Sequence, residues 1–119
     1  GSNQIKTQLT GDLSNVVADR IVSEISKGIL GQARRSIRQI EANFAGDKDQ
    51  AVLALERLSL YTGVFSADLG QRLNAAKRAN LENAIRDLKD AINTGNTARA
   101  VALRSTMTAI LAEYESKLL

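Results

Sequence analysis

The chain has 119 residues, of which 44% are hydrophobic and only 3% aromatic, and its sixteen basic side chains outnumber thirteen acidic ones for a net charge of +3. It contains no His and no Cys. That excludes a Ser-His triad, a Cys nucleophile, a disulfide, an imidazole or thiolate metal ligand, the Glu-x-x-His pattern of di-iron bundles and a histidine phosphorelay. The charge excess is mild, so it permits an anionic partner without demanding one.

Proline is absent, and Ala, Leu, Arg, Gln and Glu, all strong helix formers, are abundant. With few aromatics the core has to come from Leu, Ile, Val and Ala. One core suffices for a chain of this size. Gly1 and Ser2 look like a cloning remnant. Residues 1–11 are polar without a sustained period and are expected to be flexible; residues 12–119 are expected to form the helical domain.

Asp12 or Ser14 is the expected cap of the first helix. Leu13, Val17, Ile21, Ile25, Ile29, Ala33, Ile37, Ile40 and Phe44 follow at steps of three or four, which predicts one apolar helical stripe. Gly28 and Gly31 interrupt it. Each weakens a helix by about 0.5–1 kcal/mol relative to Ala, so a bend, a brief break or a close helix crossing is expected there. Gly46 suits a left-handed C-cap and Asp47 an N-cap.

The second stripe is Ala51, Leu55, Leu58, Thr62, Phe65, Leu69 and Leu73. Leu53, Leu60 and Val64 add another apolar face, so this helix is expected to be buried on more than one side. The period lapses over 74–80, where a turn is expected. Leu81, Ala84, Ile85, Leu88, Ala91 and Ile92 make a third stripe. A turn at Gly95-Asn96 leads into a fourth: Leu103, Met107, Ile110, Leu111, Tyr114 and Leu118. The expected helices are therefore near 13–44, 48–73, 79–93 and 97–117, an all-α antiparallel four-helix bundle built from two hairpins. Leu55, Leu88 and Ile110 are expected at its centre.

A weak internal repeat supports the hairpins. Ile37-Arg38-Gln39-Ile40, the turn at Gly46-Asp47 and Ala51-Val52 correspond to Ile85-Arg86-Asp87-Leu88, the turn at Gly95-Asn96 and Ala100-Val101. Antiparallel hairpins in general also look alike in this way.

Most carboxylates are scattered and read as solvated helix charges. Glu82 with Arg86 and Glu113 with Lys117 have the spacing for pairs that add a few tenths of a kcal/mol. No Walker-type phosphate loop occurs, and neither a metal nor another cofactor is implied. The densest basic cluster is Arg34, Arg35 and Arg38, with Lys27 upstream. It reads either as a contact for phosphate or an acidic protein or as a solvated helix face. Arg72, Lys77 and Arg78 form a second cluster. No aromatics are interleaved to stack bases. Phe44, Phe65 and Tyr114 fall on apolar stripes as core residues; Tyr61 sits off them.

The segment Gly70-x-x-Leu73, a charged turn, Leu81-Glu82-x-Ala84-Ile85-x-x-Leu88-x-x-Ala91-Ile92, a turn at Gly95-Asn96 and the Ala-rich helix from Ala98 resembles the C-terminal helical lid of the seventy-kilodalton heat-shock chaperones. The resemblance covers residues 68–118. It implies a non-catalytic helical appendage of a chaperone-like protein. The first sixty residues depart from that family, which has one long helix where this chain has its own hairpin.

The expected function is non-catalytic protein–protein interaction, with a protein partner or other domains of a longer parent chain. The alternative is a basic helical module for nucleic acid or an anionic surface. The expected contact surface is Gly28, Leu30 and Gly31 with a charged rim of Arg34, Arg35 and Arg38, since Leu30 falls beside the main stripe. Leu30 could equally fill the gap at a close helix crossing. No apolar run reaches transmembrane length, no signal peptide is read, and the lack of Cys fits a reducing cytoplasm.

Overall fold

The computed structural model describes the backbone of residues 2–119 and the side chains of residues 12–119. Four helices follow in order: α1 (Ser2–Asn43), α2 (Lys48–Arg72), α3 (Ala75–Thr94) and α4 (Thr97–Ser116). No strand occurs among the described residues. The turns are too short for anything but reversal, so each helix packs antiparallel on the one before it. The result is the expected bundle of two hairpins. α1 and α4, its first and last helices, touch only sparsely.

Side chains that satisfy the first free amides of a helix set the turns. Asp47 Oδ1 accepts from the Gln50 amide at 3.2 Å, as expected. Gly46, by contrast, is not left-handed; Gly95 is, with φ 67°. Asn96 then accepts from the Arg99 amide at 3.1 Å. The expected turn over 74–80 shrinks to Leu73-Asn74. The Asn74 side chain caps α3 by accepting from the Lys77 amide at 2.8 Å, so residues 75–80 are already helical.

Leu55, Leu88 and Ile110 are buried as expected. Phe65 stacks on Tyr114 with ring centroids 5.2 Å apart. The described backbone is helical from Ser2, well ahead of the cap expected at Asp12 or Ser14, and those two residues lie inside α1. Residues 2–11, expected to form a flexible segment, belong to the backbone of α1, and the side chains of residues 1–11 lie outside the described residues. Neither Gly28 nor Gly31 breaks α1.

The larger correction concerns which faces are buried. Leu13, Val17, Ile21 and Ile25 are exposed, and the face of α1 toward the core is Ser23, Ser26, Leu30, Ala33, Ile37 and Ile40. A helix turns about 100° per residue, so each step of four overshoots a full turn by about 40°. From Leu13 to Ile37 the row of fours therefore winds by about 240°, and it cannot stay on one face. The second apolar face of α2 is also free: Leu53, Leu60 and Val64 are exposed.

Candidate interaction surfaces

The residues expected to form one contact surface on α1 are separated by the helix. Leu30 is 0% exposed and belongs to the core, so it is no contact residue. Gly28 and Gly31 lie on the outer side; a Cβ added to either meets nothing within 4 Å, so no helix crosses there. Arg34 and Arg38 line the gap facing α4, and Arg34 pairs with Glu115. Arg35, one residue on from Arg34, is rotated about 100° away from it. Arg35 and Arg38 are exposed and form no ion pair among the described residues. The second basic cluster is structural: Arg72 pairs with Asp68 and Asp19, Lys77 with Glu113, and Arg78 with Glu82. Glu82 and Glu113 thus take partners other than the expected Arg86 and Lys117.

A polar network fixes where α1 leaves the bundle. The buried Tyr114 hydroxyl donates to Asp68 Oδ2 at 2.6 Å and lies 3.0 Å from Ser26 Oγ. Burial, and then the bond to Asp68, push the phenol pKa up to about 12. Arg72 Nε donates to the same Asp68 oxygen at 2.8 Å, while its Nη2 donates to Asp19 on α1. Burial opposes the Arg72 charge, but the two carboxylates outweigh it and hold its pKa above the usual value. The Leu119 amide donates to Ser23 Oγ at 3.0 Å, tying the end of the chain to α1. Among the described residues every buried side-chain polar atom has a partner.

Beyond this network α1 continues alone. Asp19 meets the last residue of α2, so residues 2–18 extend past the bundle by about 25 Å at 1.5 Å per residue. This accounts for the long axis of 67 Å against 23 and 17 Å across. The projecting part is amphipathic. Leu13 and Val17 on it, continued by Ile21 and Ile25 on the outer side of α1 beside the bundle, expose 65%, 57%, 55% and 57% of their surface along one winding row. Asp12, Asn15 and Asp19 occupy the face that, one turn further on, becomes the core face. That face is therefore polar on the projecting part, beyond the end of α2 at Arg72. Leu13, Ser14, Val17, Ala18 and Ile21 line a shallow surface depression.

A second feature lies between α1 and α4. Near the turns, Ile37, Ile40, Phe44, Leu88, Val101 and Met107 line an apolar cavity of about 330 Å³. Beside it, Arg34, Arg38, Arg104, Ser105, Thr108 and Ala109 line a wider, more polar one. Ile37, Glu41 and Arg104 belong to both, so they form one groove with an apolar half and a basic half. Arg104 and Glu41 pair across it at 2.8 Å.

Neither a protein-family model, nor a curated protein, nor a solved structure matches this chain. Among the described residues no three carboxylates gather as a metal site would require, and no helix is long and apolar enough to cross a membrane.

The sequence carried a signal for the free stripe. Its members are spaced by four without the compensating threes that keep a row on one face, and Asp12, Asn15 and Asp19 sit at three-four spacing where a core face would be. The α1/α4 groove left no such signal, because it arises from how far apart two helices remote in sequence come to rest.

Proposed function

We propose that this chain is a non-catalytic helical domain that acts through protein–protein contact, and that the free apolar stripe of α1 is its docking surface. The observation that carries this reading is the exposure of Leu13, Val17, Ile21 and Ile25 along one outward row of α1, the first two on the part that projects past the bundle. Burying what these four expose is worth about 3–6 kcal/mol before the costs of association. A row at spacing four is the ridge that interlocks with a second helix at about −50°. The partner is therefore a helix, or a groove that takes one. The resemblance of residues 68–118 to chaperone lids supports a setting as an appendage of a longer, chaperone-like protein.

A basic module for nucleic acid or anionic surfaces has less support. Arg35 and Arg38 lack ion pairs among the described residues, but the helix divides the cluster between two flanks.

The test uses the full-length parent protein purified from its own cells, as wild type and as the Val17→Glu/Ile21→Glu variant. Both side chains are exposed, so stability should change by less than about 0.5 kcal/mol. The wild type should retain a stoichiometric protein partner, itself or another, in high salt, and the variant should lose it. Identical partners for both proteins would refute the reading. Binding that falls steeply with salt would favour the basic alternative.

A further inference from the structure

We infer that the groove between α1 and α4 is a second docking site, and that its occupant is an acidic amphipathic helix of a protein partner. It is a different surface from the α1 stripe and does not depend on it.

The groove exists because α4 meets α1 closely at the Tyr114 end of the bundle and diverges from it toward the turns. There Tyr114, Glu115 and Leu119 meet Ser26, Arg34 and Ser23. Toward the turns the helix backbones stay apart, spanned by the Arg104–Glu41 pair at 2.8 Å, which an occupant has to lie over or open. The floor there is Ile37, Ile40, Leu88 and Met107, all buried by the protein's own packing, and Val101 on the rim is 49% exposed. An apolar cleft of about 330 Å³ takes a few aliphatic side chains.

Chemistry changes along the groove. In its second half the α4 wall is Ser105, Thr108, Ala109 and Ala112. These are small, so another helix backbone can approach closely. The α1 wall there presents Arg34 and Arg38. Arg34 is held by Glu115 and Arg104 by Glu41, but Arg38 has no ion-pair partner among the described residues. A carboxylate on the occupant would complete Arg38 and share Arg104 with Glu41. The charge complement of this half is therefore acidic, while the other half calls for Leu-like anchors.

Length and polarity specify the occupant further. The groove follows α4 from Thr97 to Ala112, about 22 Å, which suits a helix of about 15 residues. Acidic residues are best placed in the first turns of their own helix. Its N-terminus therefore lies at the Arg38 end and its apolar last turns at the Phe44 end. That runs it antiparallel to α4 and parallel to α1.

The experiment uses a fluorescein-labelled helical peptide of about 15 residues, with glutamates in its first turns and leucines in its last. A counterpart carries lysines for the glutamates, and dodecanoate serves as a small amphiphile. The acidic peptide should bind, and backbone amide shifts should map it to residues 37–45 and 97–112. The lysine counterpart should bind about tenfold more weakly or worse, as should the acidic peptide to Arg38→Glu or Val101→Glu. Both substitutions are at exposed positions, and unchanged melting will show that the variants fold. No binding, equal binding of the two peptides, or indifference to both substitutions would overturn the inference. So would uptake of dodecanoate without the peptide, which would make the groove a small-molecule site.

Discussion

Leu30 and Ile25 are five residues apart on one helix and both belong to apolar rows, yet the structure sends one inward and the other out. Leu30 is 0% exposed and Ile25 57%. Truncating Leu30 to Ala removes a fully buried isobutyl group and leaves a cavity, at a cost of about 3–5 kcal/mol. Truncating Ile25 loses only the burial of the smaller part of its surface, about 1 kcal/mol or less. For a domain of this size each kcal/mol moves Tm by about 3–6 °C, so Leu30→Ala should melt roughly 9–30 °C below wild type and Ile25→Ala within about 6 °C. Urea unfolding gives the same comparison at constant slope, provided unfolding stays two-state. If Ile25→Ala cost as much as Leu30→Ala, α1 would be rotated from the position described. If Leu30→Ala cost less than about half a kcal/mol, Leu30 would be a surface residue after all.

Gly28→Ala and Gly31→Ala should each stabilise the protein, by about 0.5–1 kcal/mol, because an added Cβ has open space at both positions; a lower melting temperature would reveal a close crossing at these glycines. Gly95→Ala should do the opposite, costing about 1–2 kcal/mol at φ 67°, and an unchanged melt would refute the left-handed cap. The Tyr114 phenol ionises near pH 10 when unfolded and about 12 when folded. Its neutral form is therefore favoured by folding below pH 10, and this contribution is lost as pH rises from 10 to 12. Tyr114→Phe should cost about 1 kcal/mol near neutrality, and the gap between the two proteins should narrow over that alkaline window; a gap independent of pH would contradict the raised pKa.

The four helices were legible because the turn chemistry and the apolar periods are local. Asp47 and Gly95 announce reversals, and Leu55, Leu88 and Ile110 sit on clean stripes. Asn74 was missed as a cap because the Ala-rich stretch after it carries no apolar period, although its side chain satisfies the α3 amides. Leu30 is core rather than contact surface for a geometric reason. If spacing by four is taken as one face, Leu30 falls beside the core and Leu13, Val17 and Ile21 within it. Once the overshoot of about 40° per step is followed, the assignment reverses. The basic residues could not be sorted from sequence. What distinguishes Arg72, fixed by two carboxylates, from Arg38, which has none among the described residues, is the position of helices remote along the chain.

The central claim is that the outward row on α1 is where a protein partner sits. A photo-crosslinking side chain placed singly along α1 of the protein in its own cells tests it most directly. Yields of partner-crosslinked product should peak at Leu13, Val17, Ile21 and Ile25 and fall to background at Asp12 and Asn15 on the polar face. Uniform yields, or a maximum at Asp12 and Asn15, would contradict it.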